Sequence, residues 1–118
     1  MLQRIHHLDP NAISTWEALE MATRDGASVL GIEEEVGSVE VGKRADIMLV
    51  NLNQVHLQPV VHGRHSNVVP LIVWCARPSD VTSVFVDGKL VVENGTVRTV
   101  SEEQVIVDAQ EVANRVLT

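Results

Sequence analysis

The clearest indication of the fold is in residues 37–50, GSVEVGKRADIMLV. Small or polar residues alternate with apolar ones as far as Gly42, where the glycine predicts a turn. Residues 45–52 then have the pattern of a β-strand, and every position from Ile47 to Val50 is apolar. A strand that is apolar on both faces is typical of one covered on both sides. We therefore expect this strand to lie centrally in a buried sheet.

Two further turns follow this strand and predict consecutive β-hairpins. The dipeptides Asp87-Gly88 and Asn94-Gly95 supply the positive φ angles that tight type I′ turns require. The three flanking segments, residues 81–86, 90–93 and 96–100, are rich in valine and threonine. The sequence therefore predicts a sheet that is mainly antiparallel.

A helix is expected before the sheet, over residues 14–30. Ser14 and Glu17 have the spacing of a capping box, in which each side chain bonds the backbone amide of the other residue. Gly31 suits a left-handed cap at the end of the helix. A glycine within a helix costs about 1 kcal/mol relative to alanine, so the pair Gly26-Ala27 indicates close packing against a neighbour.

The second half of the chain contains one more helix and one irregular region. Ser101 and Gln104 repeat the capping-box pattern, and an apolar stripe follows at helical spacing, formed by Val105, Ala109, Val112 and Val116. Residues 53–70 have no steady periodicity and predict an irregular excursion, whereas residues 71–77 suit a short helix or a strand. Trp16 and Trp74 are expected to pack in the core.

Length and composition restrict the classes of function. The 118 residues form one domain, too short for a β/α barrel of roughly 250 residues. The formal net charge of −7 would repel a phosphate backbone, so nucleic acid and anionic membranes are unsuitable partners. The single cysteine, Cys75, lies in an apolar run and is expected to be a buried thiol. One cysteine and no targeting segment fit a cytoplasmic protein.

Four segments together resemble the C-terminal region of the amidohydrolase superfamily: residues 18–27, 30–32, 37–47 and 84–91. Residues 8–10 and 56–76 are similar to the adenosine-type and guanine deaminases and the triazine hydrolases. The resemblance implies an α+β fold, with a small antiparallel β-sandwich between an N-terminal and a C-terminal helix. Residues 1–32 would form a late helix of the barrel, residues 33–100 the composite sandwich and residues 101–118 the terminal helix.

The resemblance also implies what the parent enzyme does. Such enzymes are metal-dependent deaminases or chlorohydrolases of nitrogen heterocycles, and zinc or iron is held by a His-x-His pair and further ligands on barrel strands. Those strands are missing here, so we expect no catalytic residue and no cofactor in this chain, and its substrate-binding residues stay unknown. His6 and His7 are adjacent and would diverge on a strand. A weaker alternative is a metal site formed by His56, His62 and His65.

The resemblance further implies that strands from the N-terminal end of the enzyme complete the sandwich. An uncovered strand edge recruits partners. We therefore expect this chain to associate with an upstream barrel polypeptide or with itself, as a dimer or by strand exchange. The alternative function is a free-standing dimerisation or binding module. In either case Asp46 is expected to have a structural role, bonding turn amides.

Overall fold

The computed structural model describes residues 12–117, and the adjacent pair His6-His7 lies outside them. Within the described residues the helices are α1 (Thr15–Ala22), α2 (Arg24–Val29), α3 (Val68–Trp74) and α4 (Glu102–Leu117). The strands are β1 (Ile47–Val50), β2 (Val81–Val86), β3 (Lys89–Glu93) and β4 (Thr96–Val97). Short 3₁₀ turns occupy Val55–Leu57, Gly63–His65 and Pro78–Asp80. The expected α+β class is confirmed.

The four strands form one antiparallel sheet in the order β1-β2-β3-β4. Met48 lies opposite Val84, Val84 opposite Val92, and Val92 opposite Val97. Both hairpins are confirmed, since Asp87 and Asn94 have φ of 51° and each is followed by a glycine with positive φ. The last strand ends at Val97, three residues earlier than expected.

The position of β1 differs from the prediction. This strand lies at an edge of the described sheet, with β2 on one side, and not at its centre. Met48 and Leu49 are exposed although they point to opposite faces. The apolar pattern of residues 47–50 is present, but the central position expected for this strand was wrong within the described sheet. Ile47 and Val50 are half-buried, whereas Met48, Leu49 and the free edge of β1 lack a cover within the described residues.

The long first helix is also a correction, because it is interrupted at Thr23. The capping box at its start is confirmed, with Glu17 N donating to Ser14 Oγ at 3.2 Å and Ser14 N donating to Glu17 Oε2 at 2.6 Å. Thr23 leaves the helical conformation, with φ of −125° and ψ of −88°. Its hydroxyl donates to the carbonyl of Leu19 at 2.8 Å. This back-bonding gives the chain a local alternative to a continuous helix.

The remaining segments settle two open predictions. Residues 71–74 take the helical alternative, since α3 runs to Trp74 and lies beside α1, and the chain leaves the helix at Cys75. The excursion before α3 is irregular, as expected, and is tied by Asn67, whose side chain bonds the backbone of Val61 and Pro59 at 2.8 and 2.9 Å. Leu57 from this excursion is fully buried.

Few side chains of the described residues are buried: Ala27, Leu57 and Asp80. Cys75, Trp16 and Trp74 are exposed, so the expectation that they lie in the core was wrong for this chain. Burial of apolar surface is the dominant favourable term in folding. A chain of this composition with so little buried apolar surface has faces that suit contact with further polypeptide.

Candidate interaction site

The end of α2 is fixed by a left-handed cap that also starts the candidate site. Gly31 has φ of +70° and donates its amide to Ser28 O at 3.0 Å, while Ile32 N donates to Ala27 O at 3.0 Å. These two bonds are the Schellman pattern that closes a helix. The cap turns the chain so that residues 33–39 run back along α2.

Gly37 is the neighbour that the Gly26-Ala27 pair predicted. Its φ is +95°, and a Cβ placed on it would lie 3.0 Å from Ala27 Cβ and 3.2 Å from both Arg24 Cα and Thr23 O. No residue with a side chain fits there without displacing α2. Ala27 is accordingly one of the few buried side chains.

Lys43 holds the same loop from its other side. Its ammonium donates to Glu33 O at 2.6 Å, to Ser38 Oγ at 2.8 Å and to Val36 O at 3.4 Å. An ammonium group has three donors, and here all are used on one short segment of backbone and side chain. Lys43 therefore fixes the loop that faces α2.

Asp46 joins the start of β1 to the first hairpin. Its carboxylate accepts a hydrogen bond from the amide of Asp87 at 2.7 Å, and Gly88 N donates to Ala45 O at 3.1 Å. The structural role expected for Asp46 is confirmed.

These elements enclose a groove between α1, α2, the 36–39 loop and β1. Its volume is about 540 Å³, and its lining is mainly apolar or small: Ala22, Thr23, Gly26, Ala27, Leu30, Ile32, Val36, Gly37, Ser38, Val39, Asp46, Ile47 and Met48. Asp46 is the ionisable member of this lining, and its carboxylate is bonded to a turn amide. The mainly apolar lining can accept apolar side chains.

A second hollow, on the other side of Lys43, is polar. It is lined by Glu20, Arg24, Asp25, Ser28, Glu33, Glu34, Val36, Glu40 and Lys43. A hydrogen bond from Ser38, and secondly the charge of Lys43, lower the pKa of Glu40. The acidic side chains are exposed, which makes this hollow a solvated charged face.

The buried Asp80 carboxylate forms a polar pair with the half-buried His56. His56 Nε2 lies 2.8 Å from Asp80 Oδ2, and the same oxygen accepts a bond from Arg77 N at 2.7 Å. The pKa of Asp80 is lowered, first by the Arg77 amide and then by the His56 side chain. The Asp80 carbonyl accepts from Asn51 N at 2.8 Å, so the pair also anchors the end of β1.

Sequence reasoning missed this pair. For Asp80, the sequence signal was Arg77-Pro78-Ser79-Asp80. In this pattern the proline starts a turn, and the aspartate side chain bonds the backbone amide of the residue three positions before it. The sequence offers no comparable signal for His56, which comes from a segment 24 residues earlier.

The three histidines weighed as a metal site lie in different surroundings. His56 contacts Asp80, whereas His62 and His65 lie exposed around the Gly63–His65 turn. Across residues 12–117 no three His, Cys, Asp or Glu side chains are gathered as a metal site requires.

The chain is similar to known amidohydrolases over most of its length. The model of the amidohydrolase family matches residues 1–91. A 5-methylthioadenosine/S-adenosylhomocysteine deaminase from Syntrophomonas wolfei is 38% identical over 98% of this chain and 26% of its own length. The chain thus spans about a quarter of the length of the curated relatives it matches.

Two solved structures share the arrangement of elements. An adenosine deaminase from Xanthomonas campestris with bound zinc superposes with a TM-score of 0.87 at 28% identity, over 95% of this chain and 24% of that protein. An atrazine chlorohydrolase from Arthrobacter aurescens complexed with zinc gives a TM-score of 0.73 at 27% identity, over 86% and 21%. In the part of the chain that the structure describes, no helix combines the length and apolarity needed to cross a membrane.

Proposed function

We propose that this chain, which belongs to the amidohydrolase family, forms the C-terminal quarter of a zinc-dependent deaminase and supplies structure to it, not catalytic groups. The carrying observation is the alignment of nearly the whole chain with one quarter of a deaminase. The apolar groove beside the free edge of β1 supports this proposal, because it is the kind of surface that further polypeptide covers.

The relatives support a proposal for the substrate class of the whole protein. The similar proteins are deaminases of 5-methylthioadenosine, S-adenosylhomocysteine and adenosine, so we assign the parent activity to hydrolytic removal of the 6-amino group of an adenosine-type nucleoside. The structural likeness to the atrazine chlorohydrolase supports a second candidate, displacement of a ring substituent on a triazine. Both solved relatives contain zinc, and we place the zinc ligands in the barrel.

The proposed partner is a barrel polypeptide that also brings strands to the sheet. A strand added beside β1 would satisfy its free backbone groups and place alternate side chains toward the groove. Met48 is 56% exposed and lines the groove, so its burial would contribute to this contact. Together with the single cysteine, this role fits a cytoplasmic enzyme.

A chimera tests the proposal. The C-terminal quarter of the Syntrophomonas wolfei deaminase is replaced by this chain, and zinc content and ammonia release from 5′-methylthioadenosine are measured. We expect the chimera to bind zinc and to be active, and the same deaminase without any C-terminal quarter to be inactive. An active truncated enzyme, or a well-folded chimera without zinc or activity, would contradict the proposed role.

A matched pair of variants in the chimera tests the groove itself. Met48→Asp puts a charge into the groove and is expected to abolish folding or activity, because a buried unpaired carboxylate is strongly unfavourable. Val86→Asp is the control, since Val86 has a similar exposed fraction of 48% but does not line the groove. Equal loss in both variants would argue against the groove as the contact surface.

A further inference from the structure

The C-terminal helix carries an apolar stripe that lies apart from the groove. Helix α4 begins at Glu102, beyond the residues 1–91 that the family model matches. Val105, Ala109, Val112 and Val116 recur at intervals of four, three and four residues along one face. They line a shallow apolar hollow together with Asp108 and Ala113. The large members of the stripe are more than half exposed.

The spacing of this stripe is that of a coiled-coil seam. Apolar residues that alternate at three and four positions keep one face of a helix toward a partner helix. The positions beside the seam then decide who the partner is and how it is oriented. On one side these flanking residues are Asp108 and Arg115, and on the other they are Ile106 and Ala113.

We infer that α4 pairs in antiparallel orientation with α4 of a second copy of this chain. An antiparallel pair centred between residues 110 and 111 places Val105 opposite Val116 and Ala109 opposite Val112. The side of the seam that contains Asp108 and Arg115 then faces the same side of the second copy, in the opposite direction. Asp108 faces Arg115 of the second copy, and the two-fold axis repeats this ion pair.

The alternative orientation lacks this complementarity. In a parallel pair the flanking Asp108 lies beside Ala113 of the second copy, so neither charge finds an opposite partner. The acidic first turns, which contain Glu102 and Glu103, would also lie side by side. Antiparallel helices instead bring the positive end of one helix dipole to the negative end of the other.

The size of the seam sets the strength of the pairing. A helix of 16 residues is about 24 Å long. Two such helices bury less than the roughly 1,200–2,000 Å² of a standard stable interface. The dimer is therefore expected to be weak and to depend on protein concentration.

The experiment is sedimentation velocity of the whole 118-residue chain over a wide range of concentration, with helix content followed by circular dichroism. Val112→Glu is expected to weaken dimerisation at least tenfold. Val107→Glu is the matched control, because Val107 has a similar exposed fraction, 49% against 53%, but lies off the stripe. Equal effects of the two substitutions, or a wild-type chain that stays monomeric throughout, would overturn the inference.

A charge exchange tests the orientation. Asp108→Arg and Arg115→Asp are each expected to weaken dimerisation, since each sets like charges against one another. The double variant restores opposite charges and is expected to recover most of the wild-type affinity. A double variant no better than either single variant, at unchanged helix content, would refute the antiparallel pairing. If helix content falls, the Val112→Glu and Val107→Glu comparison still decides whether the stripe is the seam.

The stripe on α4 and the groove of the proposed function are separate surfaces. The groove lies beside β1, and its variants Met48→Asp and Val86→Asp are scored by zinc and activity in the chimera. The variants of the stripe on α4 are compared by the fraction of dimer that this chain forms on its own. Either can fail without the other.

Discussion

Gly37 is the position where one added methyl group should cost most. Its φ of +95° lies in the region that residues with a Cβ avoid, which costs about 1–2 kcal/mol. In Gly37→Ala the new Cβ would also meet Ala27 Cβ at 3.0 Å and backbone atoms of Arg24 and Thr23 at 3.2 Å. Overpacking of this kind costs about 1–3 kcal/mol. We expect Gly37→Ala to lower the free energy of unfolding by about 2–5 kcal/mol.

Gly42 supplies the control, because its φ is +97° but no atom lies within 4 Å of a Cβ placed on it. Gly42→Ala should cost about 1–2 kcal/mol, the conformational part alone. The measurement is equilibrium urea unfolding followed by circular dichroism at 222 nm. Ala27→Gly should cost less in the Gly37→Ala background than in the wild-type chain, since it removes the nearest contact of the new Cβ. Equal costs for the two glycine variants would refute the close approach of the loop to α2.

Three further changes have defined outcomes. Ser14→Ala removes the N-cap of α1 and should cost about 1 kcal/mol, seen in urea unfolding with reduced helix content. The pKa of Asp80 is lowered, first by the Arg77 amide and then by His56, so the ionised carboxylate stabilises the fold above the pKa of Asp80 in the unfolded chain, and this stabilisation is lost as the pH falls through the lower folded value. Asp80→Asn should therefore reduce the loss of stability at acid pH. A pH profile of stability that Asp80→Asn leaves unchanged would contradict this. Asp46→Ala should cost about 1 kcal/mol by freeing a turn amide, whereas Asp46→Asn, which keeps an acceptor, should cost less.

Local sequence patterns predicted the turns and caps well because their physics is local. Asp87-Gly88 and Asn94-Gly95 fix the hairpins through positive φ, and Ser14 caps its helix through contacts three residues away. Gly31 closes α2 for the same reason. The split of the helix at Thr23 was missed because a threonine is only a weak signal for a helix break. The hydrogen bond from the Thr23 hydroxyl to Leu19 O is visible only in the folded chain.

The predictions that failed depended on the surroundings of the chain. An apolar pattern shows that a face is to be covered but does not say which polypeptide covers it. Residues 47–50, Cys75 and the two tryptophans were expected in the core on that pattern, and all are partly or largely exposed here. The contact of His56 with Asp80 was missed because it joins segments 24 residues apart. No periodicity reports such a contact.

Amide hydrogen exchange of residues 22–50, compared between this chain alone and the chimera with the Syntrophomonas wolfei barrel, would show whether the barrel covers β1. Exchange reports local opening, and strand amides at a free edge exchange faster than amides in a ladder. We predict that β1 and the groove residues exchange much more slowly in the chimera, whereas residues 87–95 at the hairpin turns change little. Equal exchange of β1 in the two proteins would mean that no barrel polypeptide covers this edge, and would contradict the account.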